Sequence, residues 1–208
     1  TESLKEILPN PVCSFKGPTF ASELINKSPT AFTLGSLDKS HNSLFREIFR
    51  ETPIHIDFTT DVKGVEILSI LKNIYAIATG IVDAHYNSAN LRFLFLTRAF
   101  NEMKDILVQF GGKEETMFRY CGYGDFCLTA LNDLSRNRTL GLLIGKGFFT
   151  EDISGKVVLE GKNAINVFCK EFSKGNHAEC NYPIISELYK VFNEDYDISS
   201  FVTKIISK

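Results

Sequence analysis

Lys72 lies inside Val62–Asp83, a stretch reading VKGVEILSILKNIYAIATGIVD that is helical in period and apolar on most sides. A buried ammonium is costly unless it has a partner or a task. Glu66, Ser69, Lys72, Asn73, Ala76, Thr79, Gly80 and Asp83 recur at helical spacing. They form one polar or small stripe on a helix otherwise made of Val65, Leu68, Leu71, Ile74, Ile77 and Ile81. A lysine on such a stripe can stabilise negative charge developing on an oxygen, and can deliver a proton to it.

Three further segments carry chemistry. Asn132-Asp133-Leu134-Ser135-Arg136-Asn137-Arg138 precedes a short helix. Ser135 can cap that helix, which puts Arg136 and Asn137 in its first turn, where free N–H groups and the positive dipole end favour an anion. Arginine adds a planar fork suited to phosphate oxygens. The same residues also fit a solvated basic turn. Gly122-Tyr123-Gly124-Asp125 places an acid directly after two glycines. Asp125 is either a group that orients a lysine or binds a hydroxyl, or a helix N-cap, and Thr129 lies one turn later on the same face. Gly17-Pro18-Thr19-Phe20-Ala21 follows a strand and opens a helical turn, as a ligand contact or as an ordinary strand-to-helix connection. Gly145-Lys146-Gly147 lacks the rest of a phosphate loop and reads as a helix terminus. His41, His55, His85 and His177 are scattered and show no metal-ligand pairing, so no metal is expected.

The elements that must position these groups change character near Asp61. Before it, Val12–Phe15, Thr30–Leu34 and Pro53–Phe58 read as short strands, with a helix over Ser43–Arg50. So small a sheet buries too little surface to stand alone, and reads as the end of a larger α/β domain. After Asp61, itself an N-cap, helices are expected over Val62–Asp83, Ala89–Phe110, Asp125–Leu131, Asn137–Gly145, Lys162–Ser173, Pro183–Phe192 and Ile198–Ile206. Another begins at Lys113–Phe118, and Gly111-Gly112 ends the second.

The 208 residues suit one large domain or two small ones. A formal net charge of −2 argues against a nucleic-acid surface, so any anion site must be local. Five cysteines, odd in number and without zinc spacing, read as reduced cytosolic thiols. No stretch reads as long and apolar enough to span a membrane, no insertion is expected, and no signal peptide opens the chain.

Taken in order, the strand-end GPTFA, the KN on a long helix, the GxGD and the SRN resemble NAD(P)-dependent glycerol-3-phosphate dehydrogenase. DVKGVEILSILKNIYAIATGIVDA, TRAFNEM, GYGDFCLT and LSRNRTLGLLIGKG look like successive blocks of that family. The resemblance implies a mainly α fold. Residues 61–208 would be an all-helical C-terminal domain of the phosphogluconate dehydrogenase-like type, and residues 1–60 the remnant of an NAD(P)-binding Rossmann domain. It implies NAD(P)H-dependent reduction of dihydroxyacetone phosphate to sn-glycerol 3-phosphate, an oxidoreductase step linking carbohydrate metabolism to phospholipid biosynthesis in the cytoplasm. Lys72 would be the catalytic lysine. Asn73, Asp125 and Thr129 would neighbour it, Ser135, Arg136 and Asn137 would hold the phosphate, and Gly17 and Thr19 would line the substrate site. Ala21 and Arg136 would face the cofactor, NAD or NADP, as would Val158 and Glu160 of KVVLEGK. Homodimerisation is also within the implied behaviour.

The sequence departs from the family pattern in two places. No GxGxxG occurs, so the main nucleotide-binding loop is absent from these residues, and the chain is expected to be a fragment inactive alone. The run Asp83-Ala84-His85-Tyr86-Asn87-Ser88-Ala89-Asn90 lacks the family's glycines. The alternative to an enzyme is a non-catalytic helical module for dimerisation or for binding a phosphorylated metabolite. A dehydrogenase for a non-phosphorylated substrate is disfavoured, because it has no use for Ser135-Arg136-Asn137.

Overall fold

The computed structural model describes residue 4 and residues 6–148, 156–173 and 182–207, without the side chains of 156–159 and 172–173. The fold is mainly α, with a three-stranded sheet near the start. The chain forms two compact units, Thr1–Ser69 with Lys104–Leu128, and Ile70–Met103 with Thr129–Lys208.

In the first unit, β1 (Ser14–Lys16) pairs antiparallel with β2 (Thr30–Gly35), which pairs parallel with β3 (Ile54–Thr59). Helix α1 (Ala21–Ile25) connects the first pair and α2 (Ser40–Ile48) the second. Parallel strands require such a crossover. Phe15 and Phe32 stack at 4.2 Å on the sheet, and Phe45 and Phe49 of the α2 region close over Phe15 at 5.6 Å. Asp61 then starts α3 (Val62–His85) as expected: its Oδ1 accepts the Gly64 N–H at 2.9 Å. Its Oδ2 accepts the Lys113 N–H at 2.8 Å and the Thr116 hydroxyl at 2.6 Å. One buried carboxylate thus ties the helix start to the segment after α4 (Ala89–Gln109). Helix α4 ends at Gly111, whose φ of +82° favours glycine.

The segment after Gly112 differs from the expected α-helix and glycine turn. Glu114–Phe118 is a 3₁₀ helix, and Tyr120–Gly124 is a π turn leading directly into α5 (Asp125–Leu131). Gly122 makes this tight path feasible, since a Cβ there would lie 2.2 Å from the Met117 carbonyl oxygen.

Among the described residues, the regular elements of the second unit are all helices. It holds α6 (Arg136–Gly145), α7 (Lys156–Ser173), α8 (Pro183–Asn193), a 3₁₀ turn at Ile198–Ser200 and α9 (Phe201–Ile206), with the larger parts of α3 and α4. Helix α6 ends at Gly145-Lys146-Gly147 as expected, with Gly147 at φ +78°. Helix α7 begins at Lys156, before the expected Lys162, because Gly161 continues the helix instead of breaking it. The last expected helix is split, because Asp197 caps a 3₁₀ turn by accepting the Ser199 N–H at 3.0 Å.

Two expectations about α3 need correction. The helix is in fact long and apolar enough to cross a membrane, contrary to the sequence reading, but most of its apolar window is buried inside the protein, as in a core helix. The expected burial of Lys72 is also only partial: Lys72 and Asn73 are half-buried, between the fully buried Leu71 and Ile74.

Candidate active site

The polar stripe on α3 divides into two parts. Glu66, Ser69, Lys72 and Asn73 are half-buried, whereas Ala76, Thr79 and Gly80 are buried. The buried part is a packing face for α6. A Cβ on Gly80 would lie 2.2 Å from the carbonyl oxygen of Arg138, and one on Gly141 would lie 1.9 Å from that of Ile77. Glycine at both positions lets the two helix backbones touch. Thr79 satisfies its own hydroxyl by donating to the Tyr75 carbonyl at 2.8 Å. The stripe therefore carries the half-buried Lys72 in its first part and, at Gly80, a close backbone approach to α6.

Ser135 is the N-cap of α6, and its buried Oγ accepts the Arg138 N–H at 3.3 Å. Arg136 is exposed and Asn137 half-buried in the first turn. The two arginines of this turn have different fates. Arg138 is buried, its Nη2 donating to Asp83 Oδ2 at 2.8 Å and its Nη1 to Asp133 Oδ1. The other Asp83 oxygen accepts Arg92 Nε at 2.7 Å. Arg136 has no ion-pair partner among the described residues, so it is the arginine of this turn left open to an anion. The Asp83–Arg138 link is absent from the sequence reading. Its signal was present, because Asp83 ends the α3 stripe and Arg138 lies one turn beyond the cap.

In the first unit, the candidates Gly17, Thr19, Ala21 and Asp125 come from two turns that meet. Pro18 packs near Gly124, where a Cβ would lie 3.4 Å from its side chain. Gly17 allows β1 to end against β2, since a Cβ there would lie 2.2 Å from the Ala31 carbonyl oxygen. The Thr19 hydroxyl points back to the Gly17 carbonyl at 3.4 Å, and Ala21 is exposed at the start of α1. Asp125 is only 2% exposed. Its backbone is helical, φ −71° and ψ −34°, and continuous with the π turn, which removes the N-cap alternative. Thr129 is buried one turn later on α5.

Beside these groups, Cys121 donates its N–H to Thr33 Oγ1 at 3.1 Å, and burial pushes its thiol up to about 12. Glu160 is exposed on α7, while the Val158 side chain lies outside the described residues. No group of three His, Cys, Asp or Glu among the described residues could hold a metal.

Residues 61–203 match the family model described as NAD-dependent glycerol-3-phosphate dehydrogenase C-terminus. A relative from Clostridium acetobutylicum, named glycerol-3-phosphate dehydrogenase [NAD(P)+], is 32% identical over 98% of this chain and 61% of its own length. One of the same name from Methanothermobacter thermautotrophicus is 34% identical over 92% of this chain and 57% of its own length. The chain thus spans about three fifths of the length of these curated relatives. The crystal structure of glycerol-3-phosphate dehydrogenase from Coxiella burnetii superposes with a TM-score of 0.85 at 30% identity, covering 95% of this chain and 61% of that one.

Proposed function

The chain belongs to the family of NAD-dependent glycerol-3-phosphate dehydrogenase C-terminal domains, and from that premise we propose that its protein reduces dihydroxyacetone phosphate to sn-glycerol 3-phosphate. Residues 1–60 are read as the end of the nucleotide-binding domain, and residues 61–208 as the helical substrate domain. The observation that carries the reading is the Ser135-capped start of α6, with Arg136 exposed in its first turn. A helix start with an open guanidinium suits a phosphate ester and has no role for an uncharged alcohol.

The chemistry follows from where charge develops. The ketone carbon receives a hydride, which the reduced nicotinamide supplies when bound, and negative charge forms on the carbonyl oxygen. Lys72 is assigned to stabilise that oxygen and to give it a proton. Ser135, Arg136 and Asn137 hold the non-reacting phosphate, whose binding keeps the ketone in place. Asn73, Asp125, Thr129, Gly17 and Thr19 complete the substrate side. Ala21, Arg136 and Glu160 are exposed and so accessible to a nucleotide, which fits their assignment to the cofactor together with Val158. The protein is read as a cytoplasmic enzyme whose product would supply phospholipid synthesis.

The test is Arg136→Ala in the intact gene product. The KM for dihydroxyacetone phosphate should rise at least about tenfold, equivalent to the loss of one charged contact. An unchanged KM, or absence of reduction by the unsubstituted protein, would argue for the non-catalytic module instead.

A further inference from the structure

Of the two arginines flanking Asn137, one is open and one is locked, and the locked one is connected to every part of the turn. The Arg138 N–H donates to Ser135 Oγ, its carbonyl oxygen rests against Gly80, and its guanidinium bridges Asp83 and Asp133. Asp83 is itself held, because Arg92 Nε occupies its second oxygen. Its side chain is 3% exposed, and that of Arg138 is 10% exposed. The pair therefore has little solvent screening and a fixed geometry.

Each helical residue advances the side-chain direction by a constant angle. Fixing Arg138 against α3 therefore fixes the directions in which Ser135, Arg136 and Asn137 point. The carboxylates of Asp83 and Asp133 also offset the charge of Arg138, which leaves Arg136 to meet an incoming anion. We propose that Asp83 and Arg138 are positioning residues that pre-organise the Ser135-Arg136-Asn137 turn for the phosphate of the substrate. This rests on the phosphate role given to that turn above. Asp83 touches no substrate in this scheme. It acts through Arg138, and its removal frees the turn to adopt other orientations, at a cost paid when the phosphate binds.

The experiment uses the intact gene product with Asp83→Asn, Arg136→Ala and the double variant. The Kd for inorganic phosphate is read by calorimetry, and KM and kcat for dihydroxyacetone phosphate by cofactor oxidation. Asp83→Asn should raise both the phosphate Kd and the substrate KM about tenfold. It should leave kcat at saturating substrate within about twofold, since the phosphate is remote from the reacting carbon. Added to Arg136→Ala it should raise neither constant further, because the two act on one interaction. Where Asp83→Asn does not fold, Arg138→Lys carries the same test. It keeps a cation near Asp83 but loses the planar fork that also reaches Asp133. An unchanged phosphate Kd in Asp83→Asn, with binding lost in Arg136→Ala, overturns the positioning role and leaves the phosphate turn standing. Absence of phosphate binding in the unsubstituted protein overturns the phosphate turn itself. A fall in kcat or melting temperature with no change in Kd marks Asp83 as structural only and overturns the proposal.

Discussion

Gly141 on α6 faces the backbone of Ile77 on α3 so closely that a Cβ on it would lie 1.9 Å from the carbonyl oxygen. The obstacle is backbone, which cannot rotate away as a side chain tip can. Gly141→Ala should therefore cost at least about 1–3 kcal/mol of stability, the range for overpacking. Gly124→Ala is the control. Its new methyl would meet only the Pro18 side chain at 3.4 Å, and its effect should stay within about 0.5 kcal/mol. Urea denaturation of both variants checks this, and equal midpoints would contradict it.

Glu102 holds the start of α8. Its carboxylate is buried and accepts the Ile184 and Ile185 N–H groups, both at 3.0 Å, and the Tyr75 hydroxyl at 2.8 Å. A carboxylate at a helix start satisfies free N–H groups and the dipole together. Glu102→Ala should cost roughly 2–3 kcal/mol, because buried donors lose a charged acceptor. Hydrogen exchange at Ile184 and Ile185 should accelerate more than at the middle of α4. Uniform acceleration would instead indicate a purely global effect.

Cys121 should resist alkylation in the folded protein at neutral pH, because burial holds its thiol protonated up to about 12, compared with its ordinary 9.0. The linkage has a definite sign. Below 9.0 the thiol carries its proton in both folded and unfolded chains, and stability is unaffected by it. From there to about 12 the unfolded chain releases the proton and the folded chain does not, so stability falls as pH rises. Cys121→Ala should flatten that alkaline loss in a denaturation series between those limits. An identical pH profile in the variant would refute the assignment.

Lys72→Met should leave the fold intact, since the lysine is only half-buried and a straight apolar chain can replace its stem. In the intact gene product it should lower kcat by about 10²–10⁴-fold, the usual contribution of a proton donor in position. The phosphate Kd should stay near that of the unsubstituted protein. A loss confined to KM would place Lys72 in binding and remove it from the chemistry.

The helices and their caps were largely legible in the sequence because their signals are local. The apolar period located α3, Asp61 and Ser135 were readable as caps, and Gly147 marked the end of α6. Where tertiary packing overrode the local signal, the reading erred. The sequence places a helix start at Lys162, yet the helix begins at Lys156 and runs through Gly161. The residues around Gly122 looked like an open turn, yet they wind into a π turn whose continuation makes Asp125 a helical residue.

The candidate site divides along the same line. Sequence alone determined the family blocks, the polar stripe with Lys72, and the capped turn carrying two arginines, because each is a pattern within a few residues. Only the tertiary structure decided which arginine is open. Arg138 meets Asp83 across 55 residues of chain, and that pairing, together with Asp133, removes its guanidinium from solvent while Arg136 stays exposed. It also decided that Gly80 lies against the α6 backbone and that Asp83 is held between Arg138 and Arg92. Periodicity reports which residues share a face, but the element that comes to lie against that face is set by packing of the whole unit.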